Sequence, residues 1–265
     1  MQANDVFCAV IGSLSDGREY IGSAIDKQCA LVIKEVEEKS QHGQINAEKG
    51  IYIISVYQLN SRLFELCEAY YQSPQSNMRI IGITGTNGKT STCQLIAQLL
   101  TNLGEKVAII GTNGAGMQGD LKPIANTTPG ATELHQLFYQ FNQKDVAVVV
   151  MEVSSHALEQ KRVNADLFDA AIFTNLSRDH LDYHQTMDAY GAAKFKIFND
   201  SSKQIKVLNV DDLQGSKWFN TIKANKVGFS RKHNNQTERL YSASDIEHGN
   251  DGVRFNLSFA EQTLS

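Results

Sequence analysis

Seven consecutive residues, Gly85-Thr86-Asn87-Gly88-Lys89-Thr90-Ser91, carry the most specific chemistry in this chain. They follow the apolar run Ile80–Thr84 and lead into a helical pattern, the layout of a strand, an anion-cradling loop and a helix N-terminus. Glycines let the backbone approach an anion closely, and the free N–H groups and dipole of the helix start favour negative charge. Lys89 has the reach to touch terminal phosphates, and the Thr90 hydroxyl suits Mg²⁺. The strict G-x-x-x-x-G-K-[ST] spacing would need glycine at Ile83, so the loop is a variant of that pattern. The expected ligand is ATP or a close relative; a Gly-rich turn bearing a surface lysine is the plain alternative.

Three further clusters follow apolar runs. Asn126-Thr127-Thr128-Pro129-Gly130 is a row of hydrogen-bonding side chains that also fits a turn and helix cap. In Met151-Glu152-Val153-Ser154-Ser155-His156, Glu152 ends the run Val146–Val150, where a metal-binding carboxylate belongs in phosphate-loop enzymes; capping a helix is the competing role. Ser154, Gln160 and Arg162 offer hydrogen bonds and a planar cation suited to an anionic substrate. In Thr174-Asn175-Leu176-Ser177-Arg178-Asp179-His180, His180 becomes a metal-ligand candidate beside Thr90 and Glu152. His180 and His184 do not make a zinc motif, since H-E-x-x-H needs glutamate where Leu181 stands. Lys194, between Tyr190 and Phe198 on a helical stripe, is expected either to snorkel to solvent or, if buried, to hold a neutral amine able to react with CO₂. The resulting carbamate would be a Mg²⁺-binding anion.

Positioning these clusters requires alternating strands and helices. Strands are expected at Lys106–Thr112, Asp145–Met151, Phe168–Leu176 and Ile205–Val210, and helices at Ser91–Leu103, Thr132–Asn142 and Met187–Phe198. The fold class is α/β, with a mostly parallel sheet carrying the phosphate loop, and ligands bind beyond the strands' carboxyl ends. Tyr241–Phe259 reads as a hairpin turning at Gly249-Asn250-Asp251-Gly252. Before the loop, Val6–Ile11 and Leu31–Val36 read as strands and Tyr20–Lys27 as a short helix. Asn60–Tyr71 reads as a helix with Leu63, Leu66, Cys67 and Tyr70 on one stripe. The polar Gln72–Asn77 stretch with Pro74 marks a boundary between a domain over 1–76 and a central domain over 77–265.

The 265 residues carry a net charge of −4 with signs interspersed, which leaves no nucleic-acid footprint. No apolar run is long enough to span a bilayer. The four cysteines, Cys8, Cys29, Cys67 and Cys93, lack C-x-x-C spacing and fit reduced side chains in a cytoplasmic protein, with a monomer as the default.

Taken in order, GTNGKTS, NTTPG, MEVSSHALEQKRV, FTNLSRDHLDYH and YGAAKFKIF resemble the central-domain motifs of the Mur ligase family, and most of all its members that extend the peptidoglycan precursor by a third amino acid. The resemblance implies an ATP-dependent amide ligase acting on UDP-MurNAc-L-Ala-D-Glu and a diamino acid, meso-diaminopimelate being expected, through an acyl phosphate. It implies that Gly85–Ser91 bind ATP with Lys89 catalytic, and that Thr90 and Glu152 hold one Mg²⁺. His180 and an N6-carboxylated Lys194 would serve a second. Asn126, Thr127, Thr128, Ser154, Gln160 and Arg162 would bind the UDP-linked dipeptide. Residues 1–76 would be the UDP-precursor domain, with Ser13-Leu14-Ser15 where many members have His-Gln-Ala. The family's third domain is not matched, so this chain is expected to be a fragment that does not complete turnover alone. Two other readings remain: a non-catalytic nucleotide-binding remnant and a folylpolyglutamate-synthase-like ligase.

Overall fold

The computed structural model describes residues 1–12, 15–199, 201, 203–232, 239–250, 252–259 and 262–264. Ser13 and Leu14, two of the three residues that depart from the family pattern, and Asp251 of the expected hairpin turn lie outside the described residues. The chain divides into two compact units, Met1–Cys67 and Glu68–Ser265.

The first unit is a four-stranded sheet of β1 (Val6–Ala9), β2 (Leu31–Val36), β3 (Ile45–Glu48) and β4 (Ile51–Tyr57), with α1 (Ile21–Asp26) and the start of α2 (Leu59–Tyr70). Strand order is β1-β2-β4-β3, parallel except for the β3–β4 hairpin. Ala9, Ala24, Ile25, Cys29 and Val32 form its core. β3 and β4 were not foreseen from sequence. All four β3 residues are exposed, and a continuous apolar run such as Ile51–Tyr57 shows no alternation to tell strand from helix. The expected α2 stripe is corrected: Leu59, Phe64 and Cys67 are buried, whereas Tyr70 is exposed.

The second unit is built on eleven strands: β5 (Arg79–Thr84), β6 (Val107–Gly111), β7 (Gly114–Met117), β8 (Asp120–Lys122), β9 (Val148–Glu152), β10 (Ala170–Phe173), β11 (Ile205–Asn209), β12 (Lys226–Ser230), β13 (Leu240–Gly249), β14 (Gly252–Phe259) and β15 (Gln262–Leu264). Their order is β15-β14-β13-β12-β11-β10-β5-β9-β6-β7-β8. The centre from β13 to β6 is parallel, and antiparallel hairpins extend both edges. The connecting helices are α3 (Lys89–Asn102), α4 (Ala131–Asn142), α5 (Ser155–Glu159), α6 (Leu181–His184), α7 (Met187–Phe195) and α8 (Leu213–Thr221).

Every residue of β6 and β9 is buried, as expected for strands covered on both faces. Cys93 and Ala97 of α3 pack with Ile83, Val107, Ile109, Val148, Val150 and Ile172 in one core. The chain runs from β5 to β6 on one side, returns to place β9 between them, and then crosses to β10 on the other side of β5. That reversal opens a crevice at the carboxyl end of β5, the usual ligand position in such sheets.

Candidate functional site

Four neighbouring strands, in the order β10-β5-β9-β6, deliver their carboxyl ends to this crevice. β5 ends in the Gly85–Gly88 loop and α3 begins at Lys89, so the first-turn amides of Lys89, Thr90 and Ser91 face the loop side as a helix start provides. Gly85 has φ +147°, and a Cβ there would stand 1.9 Å from Thr174 Oγ1. Only glycine lets the loop pass that close to β10.

The loop's shape is fixed from the β10 side. The Thr86 and Asn87 amides donate to Asn175 O (2.8 Å) and Asn175 Oδ1 (3.1 Å). Thr174 Oγ1 and Asn175 Nδ2 donate to Asn87 O at 2.7 and 3.0 Å. Ser177 N donates to Thr86 Oγ1 at 3.0 Å. Sequence reasoning placed these residues in a candidate cluster but gave a role only to His180. Their partners lie about ninety positions away in the chain, which no local pattern encodes.

Lys89 arches back over its own loop, its Nζ donating to Gly85 O and Thr86 O, both at 2.9 Å. Burial lowers its pKa, opposed by the charges of Glu152 and Asp179. Thr90 Oγ1 donates to Glu152 Oε2 at 2.8 Å. Glu152, 1% exposed at the end of β9, also accepts from Thr112 N at 2.8 Å through Oε1. Gly111 gives this carboxylate its room, since a Cβ there would lie 2.3 Å from Oε1. Glu152 therefore ends a strand and faces the loop, and it is Ser154 that caps α5 by accepting from Ala157 N. Thr112 and Gly111 were absent from the sequence-derived site. The turn after a strand was the only signal available for them.

Lys194 does not snorkel. It is 1% exposed, donates from Nζ to Gly85 O at 2.8 Å and sits 4.3 Å above the Tyr190 ring centre. Two amines, Lys89 and Lys194, thus meet on one carbonyl oxygen. Burial, with the nearby Lys89 charge, brings the Lys194 pKa down to about 7. A large share of it is then a neutral amine at neutral pH.

His180 is half exposed in the left-handed region (φ 51°) ahead of α6, its Nε2 3.5 Å from Asp179. Its ring lies edge-on to Tyr190 (centroids 5.9 Å) and His156 (5.0 Å). It thereby joins the Lys194 side of the crevice. His184 instead turns inward, Nε2 2.9 Å from Ser155 Oγ. Among the described residues no three His, Cys, Asp or Glu side chains converge as a metal-holding group. The hard oxygens of Thr90 and Glu152 nevertheless suit Mg²⁺, whereas Lys194 as an amine supplies no oxygen.

The remaining predicted residues form a second wall. Thr128 Oγ1 donates to Glu152 O (3.0 Å) and accepts from Ser154 N (2.9 Å). Arg162 donates to Thr128 O (3.2 Å) and Gln160 Oε1 (2.5 Å), and burial lowers its pKa. Gln160 Nε2 reaches Tyr183 Oη at 3.2 Å. Thr127 Oγ1 meets Thr112 Oγ1 at 3.1 Å, and Asn126 is exposed. Ser91 is exposed on the first turn of α3.

Fold and site together define a doubly covered parallel α/β protein with a phosphate-type loop at its switch point. Residues 83–265 match the Mur ligase middle domain, and the chain belongs to the Mur ligase family. It is similar to the UDP-N-acetylmuramoyl-L-alanyl-D-glutamate--2,6-diaminopimelate ligase of Haemophilus influenzae strain 86-028NP, 41% identical over 222 residues, covering 84% of this chain and 46% of that protein. The Vibrio vulnificus strain YJ016 ligase of the same name is 38% identical over 253 residues, covering 96% and 51%. A solved structure of a ligase with that name superimposes with a TM-score of 0.80 at 27% identity, over 100% of this chain and 53% of the other. The chain spans about half the length of the curated relatives it matches.

Proposed function

We propose that this chain supplies the ATP- and precursor-binding part of an ATP-dependent ligase that joins meso-diaminopimelate to UDP-MurNAc-L-Ala-D-Glu. The convergence of Lys89, Lys194 and the Thr90–Glu152 pair around Gly85 carries this reading. ATP phosphates lie on the Gly85–Ser91 loop and α3 start. The γ-carboxylate of D-glutamate, held from the Thr128–Arg162 wall, attacks the terminal phosphate. An acyl phosphate forms and ADP leaves. The amine of the diamino acid then attacks the acyl carbon, and the tetrahedral intermediate expels phosphate.

A carboxylate approaching a polyphosphate meets strong like-charge repulsion. In a partly dry site, Lys89 reduces it more than a solvated lysine would. Thr90 and Glu152 are the residues that would hold Mg²⁺, which would neutralise phosphate charge and orient it. Lys194 joins that chemistry only after modification: its neutral amine attacks CO₂, a C–N bond forms, and one proton leaves to water. The carbamate so made would offer the oxygens the amine lacks, with His180 beside it. Asn126, Thr127, Thr128, Ser154, Gln160 and Arg162 orient the precursor, and residues 1–76 take its UDP end. The protein works as a cytoplasmic monomer; among the described residues no helix is long and apolar enough to cross a membrane.

The test is ATP-dependent phosphate release by the chain joined to the family's third domain, with UDP-MurNAc-dipeptide and diaminopimelate compared with a folate substrate and glutamate, beside calorimetric binding of each substrate to the chain itself. Selective binding of the UDP-dipeptide is expected. Preference for folate overturns the reading in favour of a folylpolyglutamate-type ligase, and nucleotide binding without any precursor binding leaves a nucleotide-binding remnant. A ¹³C-bicarbonate NMR signal lost in Lys194→Ala is expected from the carbamate, and its absence from the unaltered chain removes that part.

A further inference from the structure

We propose that Tyr190 is a positioning residue for the phosphate loop, its hydroxyl fixing Thr86 from the far side of the crevice. The proposal rests on the reading that this loop takes the phosphates of ATP. Tyr190 is fully buried on α7, and its Oη lies 3.3 Å from Thr86 Oγ1. The proton inventory sets the direction of that bond. Thr86 Oγ1 donates its one hydrogen to Ser177 O (3.2 Å) and accepts from Ser177 N (3.0 Å). Its second lone pair is left for the phenol, so Tyr190 donates. One donated and two accepted bonds complete the capacity of the Thr86 hydroxyl, and a fully satisfied buried network admits one loop conformation.

Tyr190 is itself immobilised from several sides. Lys194 Nζ lies over one face of its ring, and the His184 ring packs against it at 5.1 Å between centroids. His184 is tied to Ser155 of α5, and α5 follows directly on the β9 end that carries Glu152. The phenol thus connects the loop after β5, the turn after β10 and the helix bearing Lys194. A generic core tyrosine would need no such partner on a nucleotide loop. Burial also raises its pKa, so it remains a donor through the physiological range.

The experiment uses the 265-residue chain with Tyr190→Phe, Thr86→Val and the double variant. ATP affinity is measured by calorimetry, amide exchange by mass spectrometry, and folding by thermal melting. Removing one buried hydrogen bond is expected to weaken ATP binding by about three- to tenfold in Tyr190→Phe. The double variant should bind no worse than Thr86→Val, because both changes break the same bond. Exchange over Gly85–Thr90 should quicken in Tyr190→Phe while β9 keeps its original protection. Unchanged affinity and exchange in Tyr190→Phe, fully additive losses, or exchange rising equally across the sheet would each overturn the proposal. If the unaltered chain binds no ATP, the ATP reading falls, and loop exchange by itself still decides the role of Tyr190.

Discussion

Two buried lysines stand at opposite ends of the same sheet, and their surroundings differ. Lys206, near the start of β11 and 2% exposed, directs Nζ at Ser201 O (2.7 Å) and Gln204 O (3.1 Å). These two carbonyls accept hydrogen bonds from the amine in place of water. Lys194, equally buried at the carboxyl edge, has the carbonyl of Gly85, the face of Tyr190 and a second amine, Lys89, as neighbours. Burial without full replacement of water favours the neutral form. Surroundings, not depth, distinguish the two lysines.

The largest effect expected at the reactive end comes from Gly85→Ala. The added methyl meets Thr174 Oγ1 in a backbone conformation that alanine avoids, and ATP affinity should fall beyond calorimetric detection. Gly88→Ala is the control: at φ +82° its Cβ meets nothing within 4 Å, so only a conformational cost of about 1–2 kcal/mol is expected.

Methionine at each lysine sharpens the contrast. Lys206→Met should lower unfolding free energy by about 2 kcal/mol, because buried carbonyls lose their donor, and should leave ATP affinity unaltered. Lys194→Met should cost less stability, since it also removes a poorly solvated amine, yet abolish ligation when the chain is joined to the family's third domain. Equal destabilisation with equal activity would erase the distinction.

The pH dependence follows from the Lys194 shift to about 7. Between pH 7 and the ordinary lysine value near 10.5, the unfolded chain binds the additional proton. Raising pH through that window therefore gives Lys194 a stabilising contribution of at most about 1.4 kcal/mol per pH unit, opposed above about pH 9 by Cys67 and Cys93, whose thiols burial pushes up to about 12. Below pH 7 this contribution levels off. Urea unfolding without nucleotide, metal or bicarbonate should show the slope, and Lys194→Met should reduce it; Lys89, also shifted down, adds with the same sign. A smaller, selective effect is expected at the second wall. Arg162→Ala should weaken UDP-dipeptide binding about tenfold and ATP binding little. Equal losses would make Arg162 a structural brace for Thr128 and Gln160.

Much of the central unit was legible because each piece declares itself locally. The β5–loop–α3 passage, the apolar runs of β6 and β9 and the hairpin around Gly249 need only short-range patterns. Other elements were hidden. β7 opens with Gly114-Ala115-Gly116, a composition that disfavours strands, and pairing with β6 overrides it; β8, only Asp120–Lys122, is held by its pairing with β7. α8 carries an exposed Leu213 and buries Trp218 and Gly215, so its apolar stripe is thin; the Asp212 cap on Gln214 N and Gly215 N was its best marker.

By itself the sequence determined the residue types that can do this chemistry, the strand ends on which they fall and the family to which they belong. Tertiary structure alone decided that β9 enters between β5 and β6, that Glu152 meets Thr90 and Thr112, and that Tyr190 and Lys194 close on the loop. The physical reason is range. Periodicity and capping act over a few residues, whereas these contacts join positions up to 109 apart and exist only once the sheet is assembled.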